Sequence, residues 1–334
     1  MRTNQEGTIS MIDFRFDRTQ LNGIKERKKL LKYRKIAILV LGIAVVLLLL
    51  LGMGRMKKTK EAARIEKEKQ EAVEKAEQAR KDAEEERERR IEQVLTSDKY
   101  GAQLRELYAR YPQVDKILLD RESYPDWLIE YFTKHKEAVD WVVDYPEYMA
   151  KGSDALNEAV PASVDLSEYQ LRNNIPLYYQ WDQTWGYASY GSGAVAVNGC
   201  GPTCLAMVVT GLTGDGSATP KKVADLSMEW GYCTNDVTDW ALMTDGASRL
   251  GVHSWQITKW TVEGVQSELR AGHPIICSMG PGDFTEQGHF IVLTGVTDDG
   301  KIIVNDPNSR INSRKKWDAK RLLDQMKGMW AFSV

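Results

Sequence analysis

Cys200 stands in a sequence context that favours a reactive thiol. It lies in the stretch Gly199-Cys200-Gly201-Pro202, directly before the apolar run of residues 205–209. Proline suits the first turn of a helix, so we expect Cys200 at the N-terminal end of a buried helix. A helix N-terminus stabilises the thiolate, which is the nucleophilic form of cysteine. The sequence therefore predicts a nucleophile at this position.

A thiol nucleophile needs a histidine as base and an acid that orients the imidazole. His289 follows Gly288 at the start of a predicted strand, which would hold its ring rigidly. Asp306 ends the next predicted strand, and adjacent antiparallel strands would place it beside His289. A simpler interpretation is that Asp306 only caps the turn at Pro307. We interpret Cys200, His289 and Asp306 as a Cys–His–acid set for nucleophilic catalysis.

The other cysteines have no comparable setting. Cys204 is expected in the core, and a disulfide among Cys204, Cys233 and Cys277 stays open. A zinc site made of Cys200, Cys204 and a histidine has poor spacing because no second cysteine pair follows. We expect neither a metal nor a cofactor.

The elements around these residues indicate an α+β fold. From residue 164 onward, helical patterns come first and strand patterns follow, which is typical of that class. The predicted helices after the Cys200 helix span residues 223–230, 239–250 and 262–269, and the predicted strands span residues 175–179, 253–258, 274–278, 290–296, 301–305 and 330–334.

Residues 36–54 form an apolar stretch of 19 residues without a charged side chain. As a helix it would measure about 28 Å, close to the ~30 Å bilayer core. We predict an uncleaved signal anchor after a basic tail, residues 1–35; a cleaved signal peptide is the alternative. Residues 21–35 and 55–69 each hold seven Lys and Arg, so the positive-inside rule gives no orientation. The usual outcome for a signal anchor places the C-terminal region outside the plasma membrane.

The next segment, residues 55–95, is charged at 25 of 41 positions and predicts a helical stalk. Glu-first pairs spaced by four residues, such as Glu77–Lys81 and Glu86–Arg90, support a solvated single helix. A weak coiled-coil homodimer is the alternative, because the heptad seam is mostly alanine.

A small helical region, residues 96–150, and a linker, residues 151–163, are predicted between the stalk and the C-terminal domain. Residues 126–143 follow a helical pattern, and His135 is expected on its charged, solvated face. Residues 161–334 hold 14 basic and 18 acidic side chains. This acidic balance argues against a nucleic-acid partner, because nucleic-acid binding depends on basic contacts to phosphates.

Three motifs together resemble those of the C39-like cysteine peptidases, which have the papain-like fold. They are Cys-Gly-Pro at 200–202, Gly-His-Phe at 288–290 and Asn-Asp-Pro at 305–307. The sequence Gln-Trp-Asp-Gln-Thr-Trp at 180–185 resembles the Gln-x-Asp-x-x-Trp stretch of the stand-alone exported branch. The resemblance covers about residues 170–334.

This resemblance implies a papain-like domain over residues 164–334, with Cys200 as nucleophile, His289 as base and Asp306 as orienting acid. It also implies a glutamine that stabilises the oxyanion. The transporter-linked branch carries it a few residues before the cysteine, where this chain has none, so Gln180 is the candidate. The leader-trimming role of that branch is not expected, because the chain has one predicted span and no Walker-type phosphate loop.

These observations lead to one expected function and two alternatives. We expect a membrane-anchored cysteine peptidase that hydrolyses amide bonds of peptides or proteins outside the membrane, with the bacterial cell surface implied by the resemblance. The first alternative is a catalytically weak or inactive module that binds peptide or cell-wall glycan. The second is a scaffold that self-associates through the stalk.

Overall fold

The computed structural model describes residue 36, residues 39–43 and residues 58–334. Most of the predicted membrane helix, residues 36–54, lies outside the described residues, as does the predicted tail, residues 1–35. Among the described residues, no helix is long and apolar enough to cross a membrane. The chain divides into two units after Ser97.

The first unit contains helix α1 (Lys58–Ser97), which covers most of the predicted stalk. Its 40 residues reach about 60 Å at 1.5 Å per residue. Exposed ion pairs line it, with 3.2 Å between Lys81 Nζ and Glu77 Oε1. Glu86 forms its pair with Arg89, three residues on, at 2.7 Å. The coiled-coil homodimer stays a prediction.

The second unit, residues 98–334, begins with short helices joined by tight turns. These are α2 (Gly101–Arg110), α3 (Asp115–Leu119), α4 (Asp126–Lys134), α5 (Val139–Val143), α6 (Tyr145–Met149) and α7 (Ser153–Glu158). The later helices are α8 (Val195–Asn198), α9 (Cys200–Thr213), α10 (Pro220–Glu229), α11 (Asp245–Arg249), α12 (Val262–Arg270), α13 (Arg310–Arg314) and α14 (Ala319–Leu323).

Three short hairpins and one large sheet make up the strands of this unit. The hairpin strands are β1 (Leu171–Arg172), β2 (Ile175–Pro176), β3 (Ser189–Tyr190), β4 (Gly193–Ala194), β5 (Cys233–Thr234) and β6 (Val237–Thr238). The sheet strands are β7 (His253–Gln256), β8 (Ile275–Met279), β9 (His289–Val296), β10 (Ile302–Asn305), β11 (Lys316–Trp317) and β12 (Met326–Ser333).

The large sheet has the order β11-β10-β9-β8-β12-β7, and every pairing in it is antiparallel. Strand β9 is central and buried along nearly its whole length. Its first residue, His289, pairs with Met279, and Val292 pairs with Asn305 of β10. Helices together with this antiparallel sheet confirm the predicted α+β class.

Helix α9 packs against β9 and α10, and its residues 201–210 are all buried. The segment is apolar on every side, which is typical of a helix enclosed by other elements. Pro202 occupies its first turn, where no intrahelical donor is lost. The predicted buried helix that begins at Cys200 therefore agrees with the structure.

Several predicted elements are shorter or broken in the structure. The strand predicted at 175–179 ends at Pro176, because the next residues bond to loops instead, such as Leu177 N to Gln170 O at 2.9 Å. The helix predicted at 239–250 splits, since Thr244 has φ −116° and ψ −79°. The predicted linker, residues 151–163, contains α7.

The prediction of one continuous helix over residues 126–143 was wrong. Helix α4 ends at Lys134, His135 adopts φ −116° and ψ 62°, and α5 begins only at Val139. His135 was also expected to be solvated. It is instead partly buried, because its ring bonds to Asn308 at 2.8 Å.

We expect Gly201→Ala to destabilise the protein. A Cβ atom on Gly201 would lie 2.7 Å from the Thr238 side chain, and Thr238 is fixed by a 2.8 Å hydrogen bond to the Tyr190 hydroxyl. Overpacking of this kind costs about 1–3 kcal/mol. Urea unfolding monitored by circular dichroism measures the loss. Gly288→Ala is the control, since its Cβ would meet nothing within 4 Å, and equal stability of the two variants would contradict the packing argument.

Candidate active site

Cys200 is the first residue of α9 and lies against the start of β9. The His289 side chain and the backbone N–H groups of Phe290 and Gly201 lie near its sulfur and lower the pKa of the thiol. Three donors around one sulfur favour its anionic form. The structure thus brings together the predicted nucleophile and the predicted base.

His289 bonds to Asp306 within the core of the domain. His289 Nε2 lies 2.8 Å from Asp306 Oδ1, and the two side chains are 7% and 1% exposed. Because Nε2 is engaged with the carboxylate, Nδ1 is the ring nitrogen left for Cys200. Cys200, His289 and Asp306 are therefore arranged in the order that a thiol hydrolase requires.

The Asp306 carboxylate accepts two further hydrogen bonds. Its Oδ1 accepts from Asn308 N at 2.8 Å and its Oδ2 from Asn312 Nδ2 at 2.9 Å. The first bond is the turn cap that the sequence offered as the simpler interpretation. Asp306 forms this cap and the bond to His289 simultaneously, so the two interpretations do not exclude each other. Three donors offset the cost of burying the charge.

The electrostatics of the site favour a thiolate–imidazolium pair. Burial raises the pKa of the Cys200 thiol, but His289 and the backbone N–H groups of Phe290 and Gly201 together lower it by more, so its pKa lies below the ordinary value. Burial lowers the pKa of His289, but the charges and hydrogen bonds of Asp306 and Cys200 together outweigh burial and raise it to about 10. Between these two pKa values, sulfur and ring are both charged.

Gln180 is buried and lies beside α8, the single helical turn that precedes Cys200. Its Nε2 donates to Ala196 O at 2.7 Å and to Val197 O at 3.3 Å, while its Oε1 is buried without a hydrogen-bond partner. Its backbone N–H donates to Pro307 O at 2.8 Å. Gln180 thus joins the turn before the nucleophile to the loop after the acid, and both of its amide donors are engaged.

Some site residues were missed by the sequence analysis. Asn308 and Asn312 bond to the acid, and Tyr131 donates from its hydroxyl to Ala196 O at 2.9 Å. His135 and Glu137 contact the loop that follows Asp306. Asn308 lies directly after the Asn-Asp-Pro motif, which was the signal available for it. Tyr131, His135 and Glu137 lie far away in sequence and had no such signal.

All four cysteines are free thiols. Cys204 and Cys277 are fully buried, and burial raises the pKa of both. Burial also raises the pKa of Cys233, which is only partly covered. Within the described part of the chain, no cluster of three or more His, Cys, Asp or Glu side chains could hold a metal ion.

Alkylation of Cys200 by iodoacetamide should begin at lower pH than that of a free thiol, which has a pKa of ~8.5. The thiolate forms as the pH rises through the Cys200 pKa, and a lowered pKa moves this rise to lower pH. Asp306→Asn should shift it back upward, because the imidazolium loses its carboxylate. We expect an alkylation rate at pH 6 about tenfold lower in the variant.

Mass spectrometry of the Cys200 peptide measures this rate in the full-length chain carrying Cys233→Ser, which removes the other partly covered thiol. Asp299→Asn is the control, because Asp299 lies in an exposed turn. A profile of Asp306→Asn that coincides with that of the control would contradict the assignment of Asp306.

Part of the chain is similar to known proteins. Residues 172–332 match the model of the Peptidase_C39 like family. A crystal structure from Bacillus anthracis, assigned to the C39-like peptidases, aligns with 50% of this chain and 98% of its own length, at 16% identity and a TM-score of 0.32. A search of curated proteins found no match.

The match spans the turn before Cys200, helix α9 and the strands that carry His289 and Asp306. It confirms the resemblance that the three motifs indicated. Residues 172–332 of the chain are thus a domain of the Peptidase_C39 like family.

Proposed function

We propose that the protein is a cysteine peptidase that hydrolyses amide bonds by a Cys–His–Asp mechanism. The observation that carries the proposal is the buried 2.8 Å hydrogen bond between His289 Nε2 and Asp306 Oδ1. The same imidazole ring lies near the Cys200 sulfur and lowers the pKa of the thiol. Membership of the Peptidase_C39 like family supports a peptidase-type function.

The proposed reaction begins at the Cys200 sulfur. The thiolate attacks the carbonyl carbon of the substrate, and the carbonyl oxygen becomes an oxyanion. His289 gives its Nδ1 proton to the leaving amine, which departs and leaves a thioester on Cys200. His289 then takes a proton from a water molecule that attacks the thioester, and the acid product leaves as the thiolate is restored. Asp306 holds the ring in one orientation throughout.

Gln180 is the proposed side-chain donor to the oxyanion. Its 3.3 Å bond to Val197 O is at the weak end of the hydrogen-bond range, so this donor can move to a substrate oxygen at low cost. Its 2.7 Å bond to Ala196 O would keep the amide in place. In this proposal Gln180 has both a structural and a catalytic contact.

The engaged state of Gln180 also favours a second candidate function. If both amide donors remain on Ala196 and Val197, the site lacks a side-chain donor for the oxyanion. The domain would then bind a peptide or a cell-wall glycan and cut it slowly or not at all.

The proposed location is the outer face of a plasma membrane. The support is the apolar stretch at residues 36–54 and the charged helix α1 that follows it. The same proposal includes weak self-association of the chain through α1. The proposed substrates are peptides, surface proteins or cell-wall peptide cross-links.

Cys200→Ala should abolish peptide hydrolysis. We expect the rate on a peptide library, followed by mass spectrometry, to fall by at least about a thousandfold, because no other group of the site can form the thioester. Cys233→Ala is the matched control, since this thiol is outside the site, and it should keep full activity. Equal activity of Cys200→Ala and the wild type would refute the mechanism.

Gln180→Ala separates the two candidate functions. If Gln180 donates to the oxyanion, kcat should fall by about 10²–10³ while KM changes little. The alanine variant also loses the bond to Ala196, so its unfolding must be measured alongside. Gln183→Ala is the control for the loss of a glutamine side chain, because the partly buried Gln183 bonds to Asp140 and Asp144 and not to the turn before Cys200. An unchanged kcat would exclude the catalytic role of Gln180.

A further inference from the structure

The helix break at His135 places a short segment against the loop that carries the acid. We call residues 135–137 the clamp segment and residues 306–312 the acid loop. The clamp segment precedes the family-matched region, residues 172–332, by 35 positions or more. It nevertheless belongs to the same compact unit as the acid loop.

Glu137 makes the largest set of contacts between the two segments. Its Oε1 accepts from Ser309 Oγ at 2.8 Å and from Ile311 N at 3.3 Å, and its Oε2 accepts from Arg310 N at 2.7 Å. Arg310 and Ile311 begin helix α13, so Glu137 satisfies backbone N–H groups that this helix cannot pair internally. A carboxylate makes these bonds charge-assisted and short.

His135 forms the second contact. Its Nδ1 lies 2.8 Å from Asn308 Nδ2, and the same Asn308 donates its backbone N–H to Asp306. Burial, followed by the nearby charge of His289, lowers the pKa of His135 to about 4. The ring is therefore neutral at physiological pH, and its Nδ1 acts as the acceptor of the Asn308 amide.

Both contacts are made next to the groups that hold Asp306. Helix α13, which Glu137 caps, carries Asn312, whose amide donates to Asp306 Oδ2. Asn308, which His135 holds, donates to Asp306 Oδ1. Asn308 and Asn312 are the two donors to Asp306 besides His289. His135 therefore holds the first of them, and Glu137 holds the helix that carries the second.

We propose that His135 and Glu137 are positioning residues, which orient the Asp306 carboxylate toward His289 by fixing Asn308 and helix α13. The inference rests on the proposed function of Cys200, His289 and Asp306. It extends the active-site machinery beyond the family domain, to a segment whose hydrogen bonds go to the acid loop. A domain without this segment would keep the three site residues but hold the acid loosely.

The test measures the pH profile of Cys200 alkylation in the full-length Cys233→Ser chain. In Glu137→Ala the loosened carboxylate should support the imidazolium less well, and the alkylation rate at pH 6 should fall about threefold to tenfold. Urea unfolding of the same variant separates this effect from lost stability. Glu130→Ala is the matched control, since Glu130 is exposed on α4 and bonds to Lys134.

Glu137→Gln distinguishes positioning from charge alone. The variant removes the negative charge but keeps one acceptor oxygen for the acid loop, so positioning predicts a rate between those of Glu137→Ala and the wild type. A glutamine variant as slow as the alanine variant would show that only the charge of Glu137 acts, and would overturn the proposal. A folded Glu137→Ala with the wild-type profile would also overturn it.

A second pair of variants covers the case in which Glu137→Ala does not fold. His135→Leu removes the acceptor of Asn308, whereas His135→Gln restores one through its amide oxygen. The charged and titratable groups near His135 are Tyr131, Lys134, Glu286, His289 and Asp306, and neither variant alters them. We expect slower alkylation at pH 6 in the leucine variant and recovery in the glutamine variant; identical profiles of the two would overturn the proposal.

The readout needs no substrate, so it separates this proposal from the proposed function. If the wild-type chain cuts no peptide but Glu137→Ala still slows alkylation, the positioning role of the clamp segment is supported and the peptidase proposal is refuted. If the wild type cuts peptides and the clamp variants alkylate normally, the peptidase stands and the clamp fails.

Discussion

The bond between His289 and Asp306 places an ion pair in the interior of the domain, and much of the surrounding structure is arranged around it. A buried carboxylate is costly unless its oxygen atoms are satisfied. Asp306 meets this requirement with three donors from a ring, a backbone and an amide side chain. The Asp306 carboxylate favours the protonated ring of His289. This positively charged ring in turn favours the thiolate of Cys200.

The large sheet supplies the geometry for this pair. Strands β9 and β10 are adjacent and antiparallel, so the start of one lies near the end of the other. His289 begins β9, and Asp306 follows the last residue of β10. Helix α9 packs on β9 and places Cys200 near His289. The three site residues thus come from elements that are packed into the core of the domain.

Much of this arrangement could be predicted from local patterns. The Gly-Cys-Gly-Pro stretch predicted the helix start at Cys200, and the alternation of strands predicted the neighbourhood of His289 and Asp306. The contacts of Glu137 could not be predicted, because they join residues 172 positions apart. The helical pattern of residues 126–143 was misleading for a related reason. Apolar periodicity continues through His135, but the bond to Asn308 requires a break there.

Very short strands could not be predicted from the sequence either. The hairpin β5–β6 has only two residues in each strand, and its turn is formed by Asn235 and Asp236, both with positive φ. Such turns suit Asn and Asp. Two-residue strands, however, contain too little alternation to be recognised. The membrane helix and the stalk dimer stay predictions that rest on sequence patterns alone.

The clamp segment bears on how a gene for such a protein can be rearranged. The family domain begins at residue 172, yet the compact unit begins at Asp98. A recombination event that joined the family domain to a different N-terminal partner would separate Glu137 from the helix that it caps. Recombination that keeps this domain intact is therefore expected to preserve a segment of about 240 residues, which is longer than the family-matched stretch of residues 172–332.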